Sequence, residues 1–262
     1  MDLGLSGKVF VVTGGAQGIG EAITRQIAAE GGVPVIADRA KEAGECLLEA
    51  LRSQEQQAHL IEVELGTSAS CQQVVEETLS TFGRLDGLIN NAGVNDGVGL
   101  EDGSPEAFLA SLEKNLHHAY YLAHFAVDVL KEAQGVIVNI ASKTALTGQG
   151  HTSGYAAAKG ALLALTREWA VELLPYGVRV NAVVPAEVAT PMYERWLQTF
   201  DVPEEKRAEI TRRIPLGQRM TTPDEIASMV VYLSSAQAAH MTGQLIHVDG
   251  GYVHLDRALA GI

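Results

Sequence analysis

The sequence predicts an α/β fold: one domain built on a doubly wound, seven-stranded parallel sheet with helices on both faces. Three observations predict it. Seven short apolar runs recur along the 262 residues, six segments of 3.6-residue periodicity lie between them, and the first run passes through a glycine-rich turn into the first helix.

The first run, "KVFVVTG" (8–14), is rich in Val and does not alternate with polar residues, as a strand buried on both faces should not. The turn "GAQGIG" leads from it into a helix over 18–30, which the strand "VPVIAD" (33–38) follows. A helix over 40–53 then precedes "AHLIEVE" (58–64), and one over 68–82 precedes "LDGLINNAG" (85–93). A long helix over 104–131 leads to "GVIVNIAS" (135–142), and another over 153–174 leads to "VRVNAVVP" (178–185). The last helix, 223–233, is followed by "QLIHVDGG" (244–251). Right-handed crossovers between parallel strands place these helices on both faces. Residues 186–222 break the rhythm as a long connection with mixed charged and aromatic residues, and they read as a substrate lid. There is no internal repeat, low-complexity stretch or linker.

Composition agrees with one soluble domain. Hydrophobic residues make up 47% and charged residues 19%, and the length suffices for a full core. A net charge of −13 argues against a nucleic-acid or anionic-membrane partner, which would need clustered Lys and Arg. Cys46 and Cys71 form neither a CxxC pair nor a metal-ligand spacing, so a reducing, cytoplasmic setting is expected and no metal is. The N-terminus carries no signal-peptide pattern, and no apolar run is long enough to span a bilayer.

Gly14, Gly18 and Gly20 stand where strand meets helix, so the free N–H groups of the helix N-terminus would face a dinucleotide pyrophosphate. A tight turn with no ligand is the bland alternative. The next strand ends at Asp38, about 20 residues on, where a carboxylate accepts from ribose hydroxyls and repels the 2′-phosphate of NADP. NAD is therefore expected. Arg39 keeps NADP open, since a guanidinium there could cover a phosphate.

Here the chain resembles the short-chain dehydrogenase/reductase family along almost its whole length. The family's TGxxxGxG is matched by "TGGAQGIG" (13–20), its NNAG by Asn90, Asn91, Ala92 and Gly93, and its YxxxK by Tyr155 and Lys159. Ser142 and Asn115 match the upstream serine and the helix asparagine. Gly15 is incidental to that spacing. The resemblance implies a Rossmann-type, NAD(P)-dependent dehydrogenase. Its cofactor residues would be Gly14, Gln17, Gly18, Ile19, Gly20, Asp38 and Arg39, with Glu64 and Leu65 at the adenine. Asn91, Ala92, Gly93, Tyr155, Lys159, Pro185, Val188 and Thr190 would complete the set. The family more often has Asp where Glu64 stands, and Gly where Ala186 stands in "VPAEVATPM" (184–192).

The chemistry can be argued from the residues themselves. Hydride transfer from a carbinol carbon needs a base for the hydroxyl proton, and a free tyrosine with pKa near 10 is too weakly ionised. Lys159, four residues after Tyr155, shares its helix face and would favour tyrosinate. Ser142 would hold the substrate oxygen, and Asn115 would continue the proton path through a water to Lys159. Two ordinary helix-surface residues are the bland alternative for Tyr155 and Lys159.

For the substrate, Asn95, Ser142, Lys143, Gln149, His151, Tyr155 and Glu187 supply donors and acceptors near the hydride site, and Trp196 supplies a ring that could stack on a sugar. Such groups suit a polyhydroxylated substrate rather than a steroid or acyl chain. The expected reaction is oxidation of an aldose at its anomeric carbon to a lactone. The runs "SKTALTGQGHTSGYAAAKGA" (142–161) and "NAVVPAEVATPMY" (181–193) are similar to bacterial L-fucose dehydrogenases of the family, which implies L-fucose or a related sugar. A similar vertebrate group implies a 17β-hydroxysteroid as the alternative, and a non-catalytic NAD-binding module is a second. His117, His118 and His124 read as helix packing or a subunit contact. The resemblance also implies a homotetramer, with the apolar tail 252–262 at an interface.

Overall fold

Strict parallel pairing without alternation produces a layered core, and the structure, a computed structural model, shows one over residues 2–255. The strands are β1 (Val9–Thr13), β2 (Val33–Asp38), β3 (His59–Glu62), β4 (Gly87–Asn90), β5 (Val136–Ile140), β6 (Arg179–Pro185) and β7 (Leu245–Val248). The helices are α1 (Gly18–Ala29), α2 (Lys41–Arg52), α3 (Ser68–Phe82), α4 (Pro105–Leu112), α5 (His118–Ala133), α6 (Ser153–Leu173), α7 (Pro191–Leu197), α8 (Pro203–Thr211) and α9 (Pro223–Ser234).

The seven strands form one parallel sheet in the order β3-β2-β1-β4-β5-β6-β7. Successive residues of β1 point to opposite faces. Val9 and Val11 pack with Val74 of α3, Leu122, Ala126 and Leu130 of α5, and Trp169 of α6. Phe10 and Val12 pack with Ile23 and Ile27 of α1 and Ile226 and Val230 of α9. Gly87 is required where β4 meets β1, because a Cβ there would come within 2.4 Å of the Phe10 ring. Strand order reverses between β1 and β4, and the crevice past their carboxyl ends is where an open α/β sheet binds ligands.

The expected strands and helices are all present, and three features differ from expectation. β3 and β7 are only partly buried, because they form the two edges of the sheet and each lacks one neighbour. The helix expected over 104–131 is interrupted by a π-helical turn, Glu113–His117, and resumes as far as Ala133. The connection 186–222 is not irregular throughout, since it holds α7, capped by Thr190, and α8. Of the tail 252–262, residues 256–262 lie outside the described residues. Among the described residues, no helix is long and apolar enough to cross a membrane.

Candidate active site

The nucleotide cradle begins with a geometric demand. The chain must reverse sharply between β1 and α1, and Gly14 does so at φ +61°, a left-handed conformation that an L side chain resists. Gly20 sits so close behind that an added Cβ would lie 1.9 Å from the Gly14 carbonyl oxygen and 2.7 Å from Asn91 Nδ2. Gly15 is not incidental in space, since a Cβ there would come 2.8 Å from the Val12 oxygen. Gln17, the N-cap of α1, makes no side-chain cap, whereas Thr67, Ser104, Thr190 and Thr222 cap α3, α4, α7 and α9. The first N–H groups of α1 thus meet no capping side chain and can face an anion.

One hydroxyl ties this turn to the next strand. Thr13 Oγ1 donates to the Ile89 oxygen at 3.2 Å and accepts from the Asn91 and Ala92 amides at 2.9 and 3.0 Å. The Asn91 side chain donates through Nδ2 to the Thr13 and Gly14 carbonyl oxygens at 2.9 and 3.1 Å. At the end of β2, Asp38 accepts from the Ala16 and Ala40 amides, both at 2.9 Å, and a carboxylate has acceptor sites left for ribose hydroxyls. Arg39 turns to Glu64, Nη1 to Oε2 at 3.1 Å, in an exposed pair. Leu65 packs against the core under β3. Ile19 packs on the α1 face of the sheet. Thr190 approaches the turn, 3.4 Å from where a Gly18 Cβ would be. Pro185 ends β6, and Val188 is buried and bridges to Thr221. Ala186 is not among the left-handed non-glycine residues, Glu55, Gln134, His151 and Gln218, so the missing glycine carries no backbone strain. These residues fit a dinucleotide lying across the strand reversal.

At the carboxyl end of β5, Ser142 is buried and accepts from the Thr144 amide and hydroxyl at 3.2 and 3.0 Å. Tyr155 and Lys159 share a face of α6, with Lys159 Nζ 5.6 Å from the centre of the Tyr155 ring and donating to the Ile140 oxygen at 2.8 Å. Burial pushes Lys159 down to about 8. It also pushes Tyr155 up to about 12, opposed by a hydrogen bond with Ser142. Desolvation is the largest influence on this phenol, and the influence that opposes it is Ser142. Asn115 lies in the π turn, and both ends of its amide are engaged: Nδ2 donates to the Ser111 oxygen at 2.9 Å and Oδ1 accepts from the Val94 amide at 2.7 Å. A Cβ on Gly93 would stand 3.0 Å from Asn115 Oδ1 and 3.2 Å from Lys159 Nζ, so only glycine lets the three approach.

Of the expected substrate groups, the fold brings together two pairs, Ser142 with Tyr155 and Lys143 with Glu187. Lys143 and Glu187 form a buried ion pair, and Tyr193 of α7 donates its hydroxyl to Glu187 Oε2 at 2.8 Å. The Lys143 ammonium stands 4.3 Å from the centre of the Tyr252 ring. The others lie apart from this pair. Gln149 is exposed, and His151, three-quarters exposed, pairs with Asp102 at 3.4 Å. Exposed Asn95 accepts from the Gly97 amide at 3.3 Å. Trp196 is half-exposed and packs edge-on between Tyr193 and Phe200.

Sequence reasoning gave His118 only a packing or subunit-contact reading. It is 2% exposed, follows the π turn directly, and among the described residues its ring nitrogens make no side-chain hydrogen bond. Burial, and then the Lys159 charge, push it down to about 4. The folded chain thus holds off a proton that the unfolded chain takes near pH 6.5, and stability is lost as pH falls from about 6.5 towards 4. Between pH 7.5 and pH 5, urea unfolding should cost the native chain about 2 kcal/mol more than a His118→Leu variant. Equal losses would show that His118 titrates normally.

Over residues 14–253 the chain matches the model of a family described as Enoyl-(Acyl carrier protein) reductase. It is 37% identical over 247 residues to a Mus musculus protein named L-fucose dehydrogenase, covering 94% of this chain and 88% of that one. It is 34% identical over 250 residues to a Thermotoga maritima 3-oxoacyl-(acyl-carrier-protein) reductase, covering 95% and 99%. A solved structure described as that of Cj0485 dehydrogenase superposes with a TM-score of 0.94 at 45% identity, covering 99% of each chain.

Proposed function

The chain belongs to the short-chain dehydrogenase/reductase family, an oxidoreductase family that normally binds NAD(P), and from that premise we propose that it oxidises L-fucose or a related aldose at the anomeric carbon to a lactone, using NAD. One observation carries the sugar reading: a charged pair, Lys143 with Glu187, is buried one residue from Ser142. Burying two charges costs several kcal/mol per ion unless polar partners remain at hand, and a sugar supplies them in its hydroxyls. The similarity to a mammalian protein named L-fucose dehydrogenase supports the same class.

Bound across the strand reversal, the nicotinamide supplies the acceptor for the two electrons and hydrogen that leave the carbinol carbon. Ser142 holds the substrate oxygen and Tyr155 takes its proton. Lys159, anchored on the Ile140 carbonyl, sets the position of that phenol and passes the proton on past Asn115. The uncapped start of α1 binds the pyrophosphate, and Asp38 accepts from the adenosine ribose. NAD is favoured over NADP because the Asp38 carboxylate would repel a 2′-phosphate and the Arg39 guanidinium is already paired with Glu64. Exposed Tyr120 of α5 and Val171 of α6 support a homotetramer.

A second reading, reduction of a ketone or oxidation of a 17β-hydroxysteroid, has an observation in its favour. Tyr193, Trp196 and Phe200 form an aromatic row on the lid, and Tyr155, pushed up to about 12, carries its proton at neutral pH. Initial rates with NAD and NADP in parallel, on L-fucose, L-galactose, D-arabinose and estradiol, separate the two. Saturation by a sugar with NAD is the expected result, and saturation by the steroid alone overturns the sugar reading.

A further inference from the structure

The buried pair does not stand on its own side chains. Lys143 follows β5, Glu187 follows β6, Tyr193 lies on α7 and Tyr252 follows β7, so four separate segments meet at one edge of the crevice. Glu187 Oε1 takes Lys143 and Oε2 takes the Tyr193 hydroxyl at 2.8 Å, while the Tyr252 ring lies 4.3 Å from the ammonium. We infer that Tyr193 and Tyr252 are positioning residues of the substrate site, holding Lys143 and Glu187 as a fixed two-charge reader of adjacent hydroxyls. The inference rests on the sugar reading above.

The valences support it. An ammonium has three donors and a carboxylate about four acceptor sites, and this network uses one and two of them. What remains is two donors beside about two acceptor sites, enough for two neighbouring hydroxyls, each accepting from Lys143 and donating to Glu187. A lone hydroxyl would use one donor and one acceptor and leave the others unmet. Burial, and then the Glu187 charge, push the Tyr193 hydroxyl well above the usual range, which keeps it a donor to Glu187. The two tyrosines act through different chemistry, Tyr193 through its O–H and Tyr252 through its ring face.

That difference makes the test. Loss of one charge-assisted hydrogen bond or one desolvated cation–π contact corresponds to about 10-fold in KM. Tyr193→Phe and Tyr252→Leu should each raise KM for L-fucose about 10-fold with kcat within about 3-fold, while Tyr252→Phe, which keeps the ring face beside the ammonium, should raise KM less than Tyr252→Leu does. The penalty should shrink on 2-deoxy-L-fucose, which has one hydroxyl fewer to be read. NADH affinity, from fluorescence titration, should not change. Thermal melts of the NAD-bound enzyme should show all three variants folded. A native chain that oxidises no polyhydroxylated substrate overturns the sugar reading and this inference with it. A native chain that oxidises L-fucose, with KM unchanged in both Tyr193→Phe and Tyr252→Leu, overturns this inference alone, as does loss of kcat with KM retained.

Discussion

Tyr155→Phe should reduce kcat about 1,000-fold or more while NADH still binds with nearly native affinity. In the proposed mechanism this hydroxyl exchanges a proton with the substrate oxygen, and it is hydrogen-bonded with Ser142. The ring, which phenylalanine keeps, goes on filling the space beside Lys159. Rates with saturating sugar and NAD, together with a fluorescence titration of NADH, check both halves. A variant that retained a tenth of native turnover would move the proton transfer to another group and overturn the role given to Tyr155.

Gly20→Ala should be the most damaging single methyl in the chain. The added carbon would stand 1.9 Å from the Gly14 carbonyl oxygen and 2.8 Å from its carbonyl carbon, and backbone cannot swing aside as a side chain can. Gly14 would have to move, and with it the Asn91 amide that donates to its oxygen. NADH affinity should fall at least about 100-fold, and unfolding free energy by about 2–4 kcal/mol. Gly66→Ala is the control, because nothing lies within 4 Å of its would-be Cβ and its backbone is not left-handed. Urea unfolding and NADH titration of the two variants should diverge, and matching curves would mean that the turn tolerates opening.

Much of the fold was legible because its signals are local. Runs such as "VPVIAD" carry their own strand signature, and the 3.6-residue periodicity over 68–82 matches the helix Ser68–Phe82. The π turn was not legible. It arises where Asn115 bonds the Ser111 and Val94 backbones, a tertiary arrangement to which an apolar pattern is blind. The same limit applies to the site. Tyr155 and Lys159 are four residues apart on one helix, so their meeting follows from helical geometry alone. Lys143 and Glu187 are 44 residues apart and meet because β5 and β6 are neighbours in the sheet. Each could be picked out as a polar group near the reacting end of the sheet, but not as the other's partner. Tyr252 gave no signal of its own and His118 only a packing or subunit-contact one, since an aromatic residue after a glycine pair and a histidine on an amphipathic helix have many ordinary explanations.

The reversal of strand order between β1 and β4 also divides labour along the gene. Thr13, Gly14, Asp38 and Asn91 all come from the first 93 residues, whereas Lys143, Glu187, Tyr193 and Tyr252 come from the last 120 or so. Mutation or recombination in the later half can thus redraw what is recognised without disturbing the earlier half. That is a physical route by which relatives of similar identity carry names as different as a sugar dehydrogenase and an acyl-chain reductase. It also marks 143–152, Glu187 and 191–222 as the positions to exchange when a new specificity is wanted with the nucleotide side left unchanged.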